Sequence, residues 1–168
     1  MAMKRIYLDH AATTPMDPRV QNAMEPFLVE NFGNAGGLYR EGRIAKEAME
    51  GARTTVAKII GARPEEIIFT SCGSESDNLA LRGAAMARRN ASGEKWILTA
   101  KTEHHAVSKT AEQLQKEYGF LLEWLDVDEH GMVTPESLSK AVCNHTAIAS
   151  VMYANNEIGT INPIHNLA

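Results

Sequence analysis

Residues Phe69 to Asn78, FTSCGSESDN, constrain the fold of this chain more than any other stretch. Glu66 to Thr70 (EIIFT) predicts a short buried strand and Ser76 to Arg89 (SDNLALRGAAMARR) a helix. Ser71-Cys72-Gly73-Ser74 is the small-residue turn between them. A chain that stops at such a turn and resumes as a helix leaves backbone N–H groups without acceptors at one spot. The helix dipole adds partial positive charge there, which suits an anion such as phosphate. Gly73 permits close approach to the backbone, and the Ser71 and Ser74 hydroxyls add hydrogen-bonding capacity. The same residues read equally as an ordinary strand–helix connection with Ser76 or Asp77 as N-cap.

The rest of the chain repeats this alternation. Ile6 to Leu8 predicts a short strand, followed by a loop to Pro15. Asp17 and Pro18 start a helix to about Glu30, with Val20, Met24, Phe27 and Leu28 on one face. Asn31 to Gly37 (NFGNAGG) is a breaker-rich loop that suggests positive φ angles. Apolar residues at three- and four-residue spacing predict a long helix over Tyr39 to Ile60, ended by Gly61. Trp96 to Thr99, Phe120 to Leu125 and Ala147 to Tyr153 predict three more strands. Helices separate them, from Ala106 to Tyr118 and from Pro135, which Thr134 caps.

Strands alternating with helices at this spacing imply an α/β fold, a mostly parallel sheet with helices on both faces. In such sheets ligands sit at the carboxyl ends of the strands. Three polar loops fall at that edge: Ser71 to Ser76, Thr102 to His105 and Asn155 to Gly159. The domain reading is an N-terminal strand and loop over 1–15 and one incomplete large domain over 16–168.

Composition narrows the function classes. A chain of 168 residues with a net charge of −4 argues against a nucleic-acid binder. No apolar run approaches the roughly 20 residues needed to span a bilayer, and the N-terminus lacks the apolar core of a signal peptide. Two cysteines, Cys72 and Cys143, give neither a disulfide framework nor a metal spacing, so a reducing, cytoplasmic setting is expected.

YLDHAATTP, FTSCGSESDN, KTEHHAV and YANNEIGTI, in this order and spacing, resemble the cysteine desulfurases of the NifS/IscS type. These belong to the class V aminotransferase branch of the pyridoxal-phosphate (PLP) fold type I enzymes. The resemblance runs from about Arg5 to Ile164. It implies that Gly73 and Ser74 bind the cofactor phosphate, at a position where the family commonly has Ala or Gly followed by Thr. It implies that His104 stacks on the pyridine ring and handles protons, which makes it the catalytic residue of this stretch. It implies that Asn155 lies beside the ring hydroxyl and the substrate carboxylate. Each residue also has an ordinary reading. His104 reads as a loop histidine satisfied by backbone, Asn155 and Asn156 as turn residues, and Glu103 and Glu157 as surface or helix-terminus charges.

Two positions depart from the family pattern. Cys72 stands where the phosphate loop commonly has Gly; its place at a helix N-terminus suits a lowered thiol pKa, and the plainer reading is a small packed thiol. Asn34-Ala35-Gly36-Gly37-Leu38-Tyr39 is looser than the usual Asn-Pro-Ser-Ser-x-His. The family also needs an aspartate for the pyridine nitrogen, a Ser-x-His-Lys segment with the Schiff-base lysine, a catalytic cysteine and an arginine for the substrate. None of these is expected within the 168 residues. The lysines, Lys4, Lys46, Lys58, Lys95, Lys101, Lys109, Lys116 and Lys140, all lie outside that context.

The resemblance therefore implies the N-terminal part of an enzyme that converts L-cysteine to alanine and an enzyme persulfide. The sulfur would go to an iron–sulfur scaffold or another acceptor. This chain alone is expected to be inactive, and a homodimer or a second chain is expected to complete it. The other readings are a non-catalytic half-fold module, and another class V PLP enzyme such as a selenocysteine lyase.

Overall fold

The computed structural model describes residues 5–168, which divide along the chain into two units after Phe69. Lys4 lies outside the described residues.

The first unit contains α1 (Pro18–Val29), α2 (Arg40–Ile60) and a 3-10 turn at Pro64–Glu66. Asp17 caps α1 through a bond from the Arg19 N–H to its carboxylate, as the sequence implies. Gly61 closes α2 in the left-handed conformation. Val20, Met24, Phe27 and Leu28 do share one face of α1, where they line an open hollow. Few side chains of this unit are buried: in α2 the buried residues are Gly42 and Ala57, and Ile59 is 77% exposed.

Three expectations fail in this unit. Ile6 to Leu8 is irregular, with Leu8 85% exposed, because three apolar residues make no strand without a ladder partner. Glu66 to Thr70 is not a strand either. Pro64 and a reciprocal pairing of Arg63 with Glu66 fold its start into the 3-10 turn. Ile67 to Thr70 then runs without a ladder. The glycines of Asn31 to Gly37 have no positive φ. They serve close packing instead: a Cβ on Gly33 would lie 2.4 Å from the Glu41 carbonyl.

The second unit holds α3 (Gly73–Ser92), β1 (Trp96–Ala100), α4 (His105–Tyr118), β2 (Leu121–Leu125), α5 (Pro135–Ala141), β3 (Thr146–Ser150) and α6 (Ile164–Leu167). The strands form a parallel sheet in the order β2-β1-β3, with Trp96 opposite Leu121 and Thr146. The sheet thus has three strands, without Glu66 to Thr70, which was expected as a further core strand, and the last is shorter than the Ala147 to Tyr153 reading.

Alternation along β1 builds a core on each face. Ile97 packs with Leu81 and Ala85 of α3, Val107, Ala111 and Leu114 of α4, and Phe120. Leu98 and Ala100 point the other way, to Leu125, Val133, α5 and Leu167 of α6. The α/β reading with helices on both faces therefore holds. A parallel sheet covered on both faces leaves its strand ends for polar loops. No helix among the described residues is long and apolar enough to cross a membrane.

Candidate functional site

α3 begins at Gly73, three residues before the expected start, and Cys72 takes the N-cap position expected of Ser76 or Asp77. Gly73 and Ser74 are therefore the first two residues of the helix rather than part of a preceding turn. The Ser76 N–H is the first to reach back, to the Cys72 carbonyl at 3.1 Å. The N–H groups ahead of it on Gly73, Ser74 and Glu75 have no backbone acceptor, as at any helix start, and those of Glu75 and Ser74 act on the Cys72 thiol. Nothing lies within 4 Å of a Cβ built on Gly73, so the space in front of the turn is open. The Ser71 N–H and hydroxyl are already taken by Glu75, each at 2.6 Å from Oε2. These bonds hold the Glu75 carboxyl below its usual range. Backbone N–H of Glu75, with the Ser71 hydroxyl, likewise lowers the Cys72 thiol, which is exposed and not the packed thiol expected. Ser74 is thus the hydroxyl left for a ligand, and Ser71 is not.

β1 ends at Ala100, and the chain turns through Lys101 to His104 into α4. His104 is the N-cap of α4: its ring Nδ1 accepts the Ala106 N–H at 3.0 Å. The backbone-satisfied reading of this histidine is therefore correct, and it does not consume the ring. With Nδ1 accepting, the proton of the neutral imidazole sits on Nε2. The helix starts one residue earlier than expected because the imidazole does the capping usually left to Ser, Thr, Asp or Asn.

Asn155 follows β3 and is buried. Its Oδ1 accepts the N–H groups of Glu157 and Ile158 at 2.8 and 2.9 Å. Its Nδ2 donates to the Thr102 carbonyl at 2.8 Å and lies 3.3 Å from Met152 Sδ. One amide thus shapes its own turn and ties that turn to the loop after β1. The N–H directed at sulfur is weakly engaged. It is the donor that can be redirected to a ligand.

The two loops border an open cleft of ≈ 320 Å³ lined by Lys101 to His105 and Asn155 to Ile158. Sequence reasoning brought His104 and Asn155 to one edge, and the structure places both in this cleft. Gly73 and Ser74 do not line it. They connect to it through Asn78, whose Nδ2 donates to the Ser74 carbonyl at 2.9 Å and the Ala106 carbonyl at 3.3 Å. Asn78 was overlooked in the sequence, although it ends the FTSCGSESDN motif. Glu103, read as a surface or helix-end charge, is buried, and its carboxylate accepts the Met152 N–H. Only a partner 49 residues away reveals that role, so no local signal marks it.

The cleft thus offers the His104 imidazole and the Asn155 amide, and the start of α3, which does not line it, offers backbone N–H groups beside open space at Gly73. The aminotransferase class-V family profile matches residues 6–168. The chain is 49% identical over 167 residues to a protein named Cysteine desulfurase IscS of Dictyoglomus turgidum, covering 99% of this chain and 42% of the relative. A Putative cysteine desulfurase IscS 1 of Bacillus subtilis is 46% identical, over 98% and 43%. A solved structure titled NIFS-LIKE PROTEIN superposes with a TM-score of 0.91 at 40% identity, covering 98% of this chain and 44% of that one. Another, titled SspA in complex with cysteine, gives 0.88 at 32%, over 96% and 46%. The chain spans under half the length of each of these proteins.

Proposed function

The chain belongs to the aminotransferase class-V family, and on that premise we propose that it is the N-terminal part of a PLP-dependent cysteine desulfurase acting on L-cysteine. The observation that carries this reading is the cleft at the carboxyl edge of the sheet, where His104 and Asn155 converge. The similarity of nearly the whole chain to cysteine desulfurases supports it.

In this reading the cofactor phosphate sits against the N–H groups of Gly73 and Ser74, with the Ser74 hydroxyl as a further donor. Ser for the family's Thr keeps that hydroxyl. His104 would cover one face of the pyridine ring, and Asn155 would donate its Nδ2 hydrogen to the ring oxygen. PLP bound there supplies an electron sink for bond-breaking at the amino-acid carbon.

The chain's own residues then have definite tasks. The α3 N-terminus neutralises phosphate charge through its dipole. Asn155 fixes ring orientation while its Oδ1 stays committed to the turn. His104 presents a proton at Nε2. Accepting one at Nδ1 requires release of the Ala106 N–H, so proton uptake by this ring is coupled to the start of α4. The covalent lysine, the sulfur-accepting cysteine and the substrate arginine are proposed to come from residues outside these 168, in the same polypeptide or a partner chain. A cytoplasmic homodimer delivering sulfur to an iron–sulfur scaffold or another acceptor completes the proposal.

The test is an assay of alanine and sulfide release from L-cysteine with PLP. The 168-residue chain alone is expected to release neither, and a polypeptide carrying Ser-x-His-Lys and the cysteine loop is expected to restore both. Release by the chain alone would overturn the assignment of the missing groups. Absence of PLP binding by the completed protein would overturn the cofactor. Intact mass measured from source cells decides between one polypeptide and two, since a single longer chain exceeds 18.4 kDa.

A further inference from the structure

Two hydrogen bonds join the loop after β1 to the segment after β3. One runs from Asn155 to the Thr102 carbonyl. The other runs from the Met152 N–H to the Glu103 carboxylate. Met152 is held from its other side as well. Its carbonyl accepts from Asn162 Nδ2 at 2.8 Å, and Asn162 Oδ1 accepts the Val133 N–H at 2.8 Å, with Asn162 buried. Glu103 thus connects the His104 loop to a segment that is itself anchored in the core.

A surface charge would be solvated, but Glu103 is 9% exposed. Burial pushes its carboxyl above the ordinary range, the Met152 N–H opposes that rise, and Asp77 of α3 adds to it. A positive charge on His104, at the start of α4, would act the other way. Lys101, His105 and Glu157 line the same cleft. A glutamine would accept the Met152 N–H without the desolvation penalty of a carboxylate. The feature peculiar to glutamate is a charge-assisted bond, shorter and stronger than a neutral one.

We propose that Glu103 is a positioning residue, whose carboxylate clamps Met152 and so sets the His104 ring against the Asn155 amide for a ligand in the cleft. This rests on the reading of that cleft as a PLP site. The clamp itself is a property of the protein without any ligand.

The experiment follows the Met152 amide in the isotope-labelled chain while pH is varied, and then titrates pyridoxal phosphate into the completed protein carrying the same Glu103 variants. The Met152 amide proton is expected to shift with Glu103 ionisation in the parent and to stay flat in Glu103→Gln. Glu103→Ala is expected to bind pyridoxal phosphate about tenfold more weakly, equivalent to about 1.4 kcal/mol. Glu103→Gln is expected to stay within about threefold of the parent at neutral pH, since it keeps an acceptor for Met152. Glu103→Asp, which keeps the charge on a shorter arm, provides the check if the alanine variant fails to fold. It is expected to lose the Met152 coupling and to bind as weakly as the alanine variant.

A Met152 amide that ignores Glu103 ionisation overturns the clamp. Parent-like affinity in both Glu103→Ala and Glu103→Asp overturns its positioning role. Absence of pyridoxal phosphate binding by the completed parent protein refutes the cofactor reading instead. The amide titration then decides the clamp by itself.

Discussion

Asn78 and Thr110 meet between two helices, the threonine hydroxyl donating to the asparagine Oδ1 at 2.7 Å. Thr110 is buried, and the other end of the same amide reaches the Ser74 and Ala106 carbonyls. Asn78→Ala therefore strands a buried hydroxyl and removes one polar tie between α3 and the start of α4, leaving their apolar packing in place. Loss of such a bond is expected to destabilise the protein by about 1–3 kcal/mol. Denaturant unfolding measures this, and an unchanged midpoint would show that the amide contributes nothing.

His104 has two separable tasks. His104→Asn keeps an N-cap acceptor and is expected to leave stability nearly unchanged, whereas His104→Ala should lose about 0.5–2 kcal/mol. Both variants remove the imidazole, so both are expected to weaken pyridoxal phosphate binding. If His104→Asn binds like the parent, the ring is not the cover proposed for the pyridine.

The Ser74 hydroxyl has no hydrogen-bond partner among the described residues, so Ser74→Ala should fold with parent stability. Its affinity for pyridoxal phosphate is expected to fall by about 0.5–1.5 kcal/mol, the net worth of a hydrogen bond. Its affinity for pyridoxal, which lacks the phosphate, should not change. An equal loss for both ligands would place Ser74 away from the phosphate.

Glu103 also makes stability depend on pH. A carboxyl raised in the fold favours the folded state fully below the ordinary glutamate range, and that contribution is lost as pH rises through the raised value. Glu103→Gln removes the titration. Thermal unfolding followed upward from pH 4.5, the ordinary value, should therefore show the parent losing stability relative to the glutamine variant. Parallel curves for the two proteins would contradict the raised carboxyl.

What the sequence disclosed was local. Trp96 to Ala100 announces a strand because it is a short apolar run, and the long helix up to Gly61 declares itself by spacing and a stop signal. Ile67 to Phe69 carries the same kind of apolar signal yet has no ladder, because pairing depends on a distant partner that composition does not report. His104 and Asn155 were found through the loops they occupy and the family pattern. Their second duties, as a helix cap and a loop tie, come from bonds visible in three dimensions. Glu103 was misjudged for the same reason: its surroundings are assembled from three separate elements.

The central place of β1 sets a timetable for assembly. It is the earliest made of the three sheet strands, yet both of its edges are completed by segments synthesised later. A growing chain carries β1 with two open flanks until Leu125 has emerged, and with one until Ser150. The loop bearing His104 leaves the ribosome well before Met152 and Asn155, the groups that hold it. The cleft is therefore among the last features of this unit to form. A nascent chain stalled before Met152 would display the histidine and its neighbouring glutamate without the partners that orient them.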